Sequence, residues 1–370
     1  MATAIITGSG LYTPKDIISN QALVNSLNQF VEQYQAKYHT EIAAGTMPAL
    51  EPSDPDFIEK ASGIKNRYVI DKKGILDPNR LCPQIPQRSP DEISVQAEMA
   101  LHALEPALAE AQLKGSDIDT VICAASVMQR GYPSMSVEIQ HHLGAKGSAL
   151  DLQMACSSAT FGLQVINSLI QSGAAKKIVM VNPEICSAHV DYSNRDSHFI
   201  FGDACTAMVI EAHENQSGFR ILSTQCQTQY SNNIRNEFGF LNRIEAGRDP
   251  KHPPFFTQQG RKVFKEVSSL AAEHLANHCQ QHQLLPAQLK RFWLHQANAT
   301  MNQLILKKLL ETEPNAYQAP LVLDNYANTS SAGCVIAFHT HKTDFEAGEK
   351  GLLCSFGAGY SIGSALLEKC

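Results

Sequence analysis

The sequence predicts an α/β protein made of two duplicated halves. Three observations lead to that fold class: the length of the chain, an internal repeat, and an alternation of strands with helices. The chain has 370 residues, which is more than one simple core usually holds, so two fused halves are expected. Hydrophobic residues make up 44% of it and charged residues 18%, a normal globular balance with ample material for a core.

The internal repeat relates two short segments of similar sequence. Residues 151–159 read Asp-Leu-Gln-Met-Ala-Cys-Ser-Ser-Ala, and residues 324–332 read Asp-Asn-Tyr-Ala-Asn-Thr-Ser-Ser-Ala. The offset of 173 residues (324 minus 151) also places residues 177–181 on residues 350–354. Each copy is predicted to run as a turn, a small-residue helix, a basic residue and a short apolar strand. Two matches at one offset indicate fused, duplicated domains, because solenoid repeats are much shorter.

Strands and helices alternate in both halves. In the first half we predict a strand over 120–124, a helix over 155–171, and strands over 178–181 and 207–211. In the second half we predict helices over 260–280 and 301–310, and strands over 292–294, 352–355 and 362–367. Such alternation is typical of α/β layers, whose sites lie at the carboxyl ends of strands. We expect an N-terminal half over residues 1–212 and a C-terminal half over residues 213–370.

Three stretches interrupt the alternation and are predicted to be insertions. The stretch near 28–55 begins as a helix and ends Pro-rich, the one near 71–90 carries four prolines, and the one near 230–254 mixes Asn, Arg, Gly and Pro. Loops of this length are uncommon in compact domains. They serve either as lids and binding loops or as variable surface decoration, and the sequence leaves both readings open.

Charge and composition exclude several classes of function. The net charge is −6 and no long basic run occurs, so nucleic acid is not expected as a partner. Residues 1–8 lack a basic region before their apolar residues and predict a first strand, not a signal peptide. No apolar run approaches the ~18 residues of a membrane span, so no membrane insertion is expected. The ten cysteines include no C-x-x-C pair, which disfavours a metal or redox site and indicates a reduced, cytoplasmic protein.

Cys156 is the candidate nucleophile. It is predicted to follow a strand and to open a helix rich in small residues, with Ala155, Ser157 and Ser158 leaving room for a substrate. Free N–H groups and partial positive charge at a helix start favour a thiolate and lower the pKa of a thiol. The alternative is a buried structural cysteine, which is the expected role of most of the other cysteines.

His295 and Asn328 are the candidate partners of Cys156. His295 ends a predicted strand, where an imidazole facing a cleft can act as a general acid or base, although a structural role is the alternative. Asn328 lies at the repeat counterpart of the Cys156 turn. If the two halves pack about a pseudo-twofold axis, these two turns meet, whereas the alternative for Asn328 is a helix cap.

The glycine-rich segment 356–363 lies between two predicted strands. No helix follows it, so a dinucleotide-binding fingerprint is not favoured. The segment is either a simple tight turn or a loop that presents a backbone N–H, such as that of Ala358, to a developing oxyanion.

Together these segments resemble the β-ketoacyl-acyl-carrier-protein synthase III family of the thiolase superfamily. The resemblance covers nearly the whole chain except the three insertions. Six motifs occur in the family's order and approximate spacing, namely Ser-Gly-Ile at 62–64, Tyr-Pro-Ser at 132–134, Phe-Gly-Asp at 201–203, His-Gln-Ala-Asn at 295–298, Asn-Thr-Ser at 328–330 and Phe-Gly-Ala-Gly at 356–359. The resemblance implies a thiolase-like fold with two βαβαβαββ-type halves in a layered αβαβα arrangement.

The same resemblance implies an acyltransferase with a Cys156-His295-Asn328 triad. Its reaction would be the decarboxylative Claisen condensation of an acyl thioester primer with malonyl-acyl carrier protein, as in the initiation of fatty-acid synthesis. The reaction would run by a ping-pong mechanism through acyl-Cys156. The N–H groups of Cys156 and Ala358 would form the oxyanion hole. No metal or cofactor is implied, since CoA and carrier-protein thioesters are substrates.

Substrate-binding residues follow from the resemblance residue by residue. Phe57 stands where a Trp usually stacks on the CoA adenine, and Arg195 retains a phosphate-binding position, whereas Ala61 replaces an Arg. Asn298 belongs to the His-Gln-Ala-Asn motif and is predicted to contact substrate. Tyr132 matches the position that reaches into the acyl pocket of the partner subunit, which implies a homodimer.

The position used for carrier-protein docking departs from the family pattern. Thr300 replaces the basic residue that the family uses for docking, and Lys307 and Lys308 are candidate replacements. Two other functions stay open: a specialised-metabolism ketosynthase or non-decarboxylating acyltransferase of the same fold, and a non-catalytic partner subunit. The complete triad disfavours the last of these.

Overall fold

The computed structural model describes residues 2–213, 217–247 and 255–370, and within these ranges the chain forms thirteen β-strands and eleven α-helices. The strands are β1 (Ala4–Tyr12), β2 (Asp16–Ser19), β3 (Asn66–Val69), β4 (Thr120–Ala124), β5 (Ser148–Leu152), β6 (Lys177–Ile185), β7 (Asp203–Ala212), β8 (Phe219–Ser231), β9 (Ile234–Arg235), β10 (Thr257–Gln258), β11 (Arg291–Leu294), β12 (Lys350–Gly357) and β13 (Gly359–Lys369). The helices are α1 (Asn20–Lys37), α2 (His39–Ala43), α3 (Pro55–Ser62), α4 (Lys72–Leu76), α5 (Val95–Ala111), α6 (Met135–Leu143), α7 (Ser158–Gln171), α8 (Gly260–Gln281), α9 (Ala299–Leu310), α10 (Leu323–Tyr326) and α11 (Ala332–Thr340).

The main sheet repeats one pairing pattern on either side of a short junction. Its order is β11-β12-β13-β8-β1-β7-β6-β4-β5. In the first part β1 pairs with β7 and β7 with β6 antiparallel, and β6 pairs with β4 in parallel. In the second part β8, β13, β12 and β11 repeat those orientations. Among the described residues, Ile5 with Arg220 and Ile6 with Phe219 are the two pairs across the junction. The duplication predicted from the repeat is therefore present in the fold.

The second half departs from the predicted element order in one place. Without β2, β3 and α1 to α4, the first half runs βαβαβαββ. In the described residues of the second half, α10 stands where that order would need a strand before α11. Pro320 has no N–H to give to a neighbouring strand. The N–H groups of Val322 and Leu323 donate to Gln296 Oε1, at 3.0 and 3.2 Å. A glutamine side chain therefore satisfies the backbone groups that a strand would have paired.

Two central helices lie between the half-sheets and create the layered arrangement. Helix α7 and helix α11 share one buried cluster with residues of both half-sheets, including Met180 from the first and Trp293 from the second. Every residue of α11 from Ala332 to Phe338 is buried, as expected for a helix that is apolar on all sides. Helices α5 and α6 cover the outer face of the first half-sheet, and α8 and α9 cover that of the second. The layers therefore follow the predicted αβαβα order.

The insertions contain more regular structure than the sequence predicted. The stretch near 28–55 includes the end of α1 and all of α2, and the stretch near 71–90 includes α4. The stretch near 230–254 includes β9 and a 3₁₀ turn at Phe240–Arg243, while residues 248–254 of it lie outside the described residues. The last part of the first insertion is held against α1, because Asn28 of α1 and Ser53 exchange two hydrogen bonds of 2.8 and 3.1 Å.

The described part of the chain contains no helix with the length and apolarity that crossing a bilayer requires. All ten cysteines are described, and all are free thiols. The first strand, predicted within residues 1–8, spans Ala4–Tyr12.

A buried histidine network joins α8 to the main sheet. His274 and His278 lie one turn apart on α8, and both hydrogen-bond Ser364 Oγ of β13, at 2.8 and 2.7 Å. The other ring nitrogen of His278 bonds Ser223 Oγ of β8 at 2.7 Å. Burial lowers the pKa of each imidazole to about 4, so both rings are neutral near neutral pH.

We expect the free energy of unfolding to fall as the pH is lowered from about 6.5 towards 4, because in that window the unfolded chain binds protons that the native packing of His274 and His278 disfavours. Urea unfolding at about pH 7.5 and about pH 5 measures the loss. Exchanging His278 for Gln should make the loss smaller, whereas exchanging the exposed His39 of α2 should not. An unchanged pH dependence in the His278→Gln variant would contradict this account.

Candidate active site

Cys156 lies in a sharp turn between a strand and a helix of the first half. The turn is a 3₁₀ segment at Ala155–Ser157, placed between β5 and α7, with Ala155 in the left-handed region at φ 47°. Gly357 of β12 faces it so closely that a Cβ there would stand 2.7 Å from the Cβ of Cys156. The glycine at position 357 therefore allows the hairpin of β12 and β13 to approach the Cys156 thiol.

Asn328 lies in the corresponding turn of the second half, between α10 and α11. Two further non-glycine residues of this turn adopt left-handed backbone, Ala327 at φ 54° and Ser330 at φ 50°. Ser330 Oγ donates a hydrogen bond to Cys156 Sγ at 3.5 Å. The structure therefore brings the two turns of the repeat together, and it concentrates backbone strain where they meet, as is typical of functional sites.

The amide orientation of Asn328 is set by its neighbours. Its Oδ1 accepts the N–H of Ser330 at 2.9 Å, and its own backbone bonds Ile200 and Gly202 on the neighbouring segment. The side-chain oxygen is thus occupied inside the turn. Since Asn328 also lines the main cavity, its NH2 group is the donor that the residue can offer to a bound molecule.

His295 follows β11 and is held by its own backbone. Its N–H donates to Cys354 O at 2.8 Å, and its carbonyl accepts from Asn302 Nδ2 at 2.9 Å. The ring meets Phe356 edge to face, with centroids 5.3 Å apart. Burial lowers the pKa of His295 to about 4, against a smaller raising effect from a hydrogen bond with the Ser330 backbone. The imidazole is therefore neutral near neutral pH and can accept a proton.

Burial decides the pKa of the Cys156 thiol. From the sequence we expected the helix start to lower that pKa, but in the structure burial raises it to about 11, and the Glu184 carboxylate acts in the same direction. Hydrogen bonds from the Ser330 side chain and from the N–H groups of Cys156 and Ala358 oppose this rise. The expectation of a lowered pKa is wrong, because desolvation of the thiolate outweighs these donors. The resting site thus pairs a neutral thiol with a neutral imidazole.

Glu184 is a buried carboxyl group that the sequence reasoning missed. It accepts the N–H of Ser126 at 2.9 Å and the N–H of Ser331 at 3.2 Å, and it also bonds the hydroxyl groups of both serines. Burial raises the pKa of this carboxyl group. A glutamate that follows the apolar run 178–181 within the same strand was the signal that could have identified it.

The three candidate residues open onto one cavity of about 880 Å³. Cys156, His295 and Asn328 are among its polar lining residues. Most of the remaining wall is apolar and comes from the segment 199–201, from the N-terminal half of α8, and from residues Ile64, Ile234, Phe256, Met301 and Phe356. A concave, mostly apolar chamber with a few convergent polar groups is the usual form of a small-molecule site.

Phe57 lines the cavity, and Arg195, whose chain neighbours Asn194 and Asp196 also line it, stacks on the Phe57 ring. The Arg195 guanidinium carbon is 4.0 Å from the centre of the Phe57 ring, and the same guanidinium donates from Nε to Pro52 O at 2.7 Å. Phe57 also meets Phe199 edge to face, at 5.9 Å. A planar base could enter between Phe57 and Arg195 only after the two had separated.

The remaining residues predicted from the sequence are divided between the cavity wall and the exposed surface. Asn298 lines the cavity, but its amide caps α9 through Met301 N at 3.0 Å and donates to Ala61 O at 2.7 Å, which are structural contacts. Tyr132 lies outside the cavity and is 88% exposed. Thr300 is exposed. On α9, Lys307 pairs with Glu313, and Lys308 donates to Ser269 Oγ at 2.9 Å.

Comparisons with known proteins give the chain its relatives. The N-terminal family model of 3-oxoacyl-[acyl-carrier-protein] synthase III matches residues 150–229, and the C-terminal model matches residues 279–369. A β-ketodecanoyl-[acyl-carrier-protein] synthase from Pseudomonas aeruginosa is 52% identical over 94% of this chain and 100% of its own length. A β-ketoacyl-[acyl-carrier-protein] synthase III from Granulibacter bethesdensis is 28% identical over the full length of both chains.

Solved structures agree on the fold. The 3-oxoacyl-[acyl-carrier-protein] synthase III of Aquifex aeolicus VF5 superposes with a TM-score of 0.74 at 24% identity, covering 99% of each chain. The priming β-ketosynthase of the R1128 polyketide pathway superposes with a TM-score of 0.78 at 21% identity, covering 99% of this chain and 96% of its own. These matches confirm the predicted thiolase-like fold. The chain belongs to the 3-oxoacyl-[acyl-carrier-protein] synthase III family of acyl-condensing enzymes, as its sequence motifs predicted.

Proposed function

We propose that this protein condenses an acyl thioester primer with malonyl-acyl carrier protein, with loss of CO2, by a ping-pong mechanism through acyl-Cys156. The observation that carries the proposal is the convergence of a thiol, a neutral imidazole and an amide NH2 group on one apolar cavity. Each group suits one step of such a reaction, and none of the steps needs a metal or a cofactor beyond the thioester substrates.

In the first half-reaction, His295 takes the proton of the Cys156 thiol and the sulfur attacks the carbonyl carbon of the primer thioester. The carbon–sulfur bond to the carrier then breaks, and the departing thiolate takes the proton back from His295. The N–H groups of Cys156 and Ala358, which already hydrogen-bond the sulfur, are the donors nearest to the oxyanion that forms. A neutral imidazole at the start is what this transfer requires.

In the second half-reaction, malonyl-acyl carrier protein enters the same cavity. Its terminal carbon–carbon bond breaks to release CO2, and the electron pair is held as an enolate. His295 and the NH2 group of Asn328 donate hydrogen bonds to the enolate oxygen. The carbanion attacks the acyl-Cys156 carbonyl carbon, and Cys156 leaves as a thiolate. One proton from solvent, which His295 can relay, then restores the Cys156 thiol.

We infer a medium-length primer from the relative and from the cavity. The 52% identical relative is named as a β-ketodecanoyl synthase, and a ten-carbon product made by adding two carbons needs an eight-carbon acyl group. The apolar wall formed by Phe264, Val267 and Met301 suits an alkyl chain of that kind. The primer carrier is either CoA or acyl carrier protein. The Phe57–Arg195 pair would contact the nucleotide of CoA once opened.

We also propose a homodimer in the cytoplasm, as the sequence led us to expect. Strand β5 forms a free edge of the main sheet, and exposed sheet edges invite pairing. Tyr132, largely exposed, supplies a large apolar ring that a partner would cover.

Exposure to octanoyl-CoA should add one octanoyl group to the wild-type protein, visible by intact-protein mass spectrometry. Cys156→Ala should remove the added mass completely, because in the described part of the chain Cys156 is the one cysteine that lines the cavity together with His295 and Asn328. The matched control is Cys82→Ala, which deletes an exposed thiol and should acylate like wild type. Full acylation of the Cys156→Ala variant would remove Cys156 from the mechanism.

Asn328→Asp should still form acyl-Cys156, more slowly because a carboxylate in the same cavity disfavours the thiolate, but should release CO2 from malonyl-acyl carrier protein about 100- to 1000-fold more slowly. The aspartate keeps an oxygen for the Ser330 N–H and replaces the NH2 donor by an acceptor, so the enolate loses one hydrogen bond. Radiolabelled CO2 release measures the step. If the wild type forms acyl-Cys156 but never releases CO2, the non-decarboxylating acyltransferase is the correct function.

Light scattering of the purified protein should give about 81 kDa, twice the 40.5 kDa chain. Tyr132→Ala should change the preference among acyl chain lengths if the ring enters the partner's pocket. Tyr317→Ala, which deletes another exposed tyrosine, should not. A monomer at working concentration, with Tyr132→Ala unchanged, would exclude the proposed role of Tyr132.

A further inference from the structure

We propose that Ser330 is a fourth catalytic residue, whose hydroxyl group stabilises the Cys156 thiolate during attack on the acyl donor. The inference deepens the proposed function, since it concerns the thiol on which that function rests. It starts from the direct contact between Ser330 Oγ and Cys156 Sγ, at 3.5 Å across the junction of the two halves.

Ser330 contacts two residues of the proposed triad directly. Its hydroxyl donates to Cys156, and its N–H donates to Asn328 Oδ1 at 2.9 Å. Its backbone is left-handed at φ 50°, a conformation that a serine adopts only at a cost in strain. The residue is held in an unfavourable conformation that directs its hydroxyl at the nucleophile.

Neighbouring hydroxyl groups do not offer the same hydrogen bond. Ser157 donates to Ser361 O, and Ser158 donates to Ala125 O and Ala155 O. Both are directed at main-chain carbonyls although they stand next to Cys156 in the chain. Within residues 2–213, 217–247 and 255–370, Ser330 is the one side chain that donates to the sulfur.

The hydrogen bond from Ser330 Oγ to Cys156 Sγ is strongest when the sulfur is charged. A thiol sulfur is a weak acceptor, whereas a thiolate is a strong one, so the bond strengthens as the proton moves from Sγ to His295. It weakens again once the sulfur is part of a thioester. Stabilisation confined to the charged species accelerates acyl transfer. Burial disfavours the thiolate here, which makes a donor at this position necessary.

Ser330→Ala should slow alkylation of Cys156 by iodoacetamide about 10- to 100-fold near neutral pH, because a hydrogen bond to a charged group is lost. The pH profile of alkylation should move to higher pH by about one to two units. Acylation by octanoyl-CoA should slow by a similar factor. Ser26→Ala, which removes a buried hydroxyl that bonds Leu76 O, is the control and should match wild type.

Ser330→Gly separates the hydroxyl from the backbone conformation, because glycine adopts left-handed φ without strain. We expect the glycine and alanine variants to be equally slow. An alanine variant with the wild-type alkylation rate and pH profile overturns the proposal. So does a slow alanine variant combined with a glycine variant as fast as wild type, since the turn geometry would then be the cause.

Should the alanine and glycine variants fail to fold, Ser330→Cys keeps a weak donor of similar size and should alkylate at Cys156 at an intermediate rate. Peptide mapping assigns the alkylated residue, and a wild-type rate at Cys156 again overturns the proposal. Alkylation needs no acyl donor, so it tests the role of Ser330 independently of the proposed condensation reaction. A wild-type protein that is alkylated at Cys156 but never acylated contradicts the proposed function and leaves the role of Ser330 testable.

Discussion

The geometry of the site depends on the hydrogen bonds that the buried carboxyl group of Glu184 accepts. Glu184 stands at the end of β6 in the first half and bonds Ser126 of that half and Ser331 of the second. Ser331 directly follows Ser330, which reaches Cys156. A buried carboxyl group deprived of such donors would be strongly destabilising, so the two halves must dock in one register. The catalytic geometry therefore forms only when both halves have packed against each other.

Burial is the second constraint, and it sets the protonation of the site. It raises the pKa of the Cys156 thiol to about 11 and lowers that of the His295 imidazole to about 4. Both groups are therefore neutral before substrate binds. Charge develops only during the reaction, where the N–H groups of Cys156 and Ala358 and the hydroxyl of Ser330 are already in place. Preorganised donors in a poorly hydrated cavity are more effective than the same donors in water.

The contacts around Phe57 and Ile234 relate the insertions to the cavity. The first insertion includes Pro52, whose carbonyl accepts a hydrogen bond from Arg195 where that residue stacks on Phe57. The third reaches the cavity through Ile234. Two of the three long stretches therefore border the site, which favours the binding-loop reading over surface decoration for them. The stretch near 71–90 does not line the cavity.

The sequence by itself determined the duplicated α/β fold, the turn that carries Cys156 and the positions of His295 and Asn328. It could do so because periodicity, a repeat and short motifs are local properties of the chain. It gave the wrong sign for the pKa of Cys156, since desolvation depends on everything packed around the thiol. It also missed Glu184 and Ser330 as contacts of the site. Their partners lie up to 174 residues away along the chain, and only the docking of the two halves brings them together.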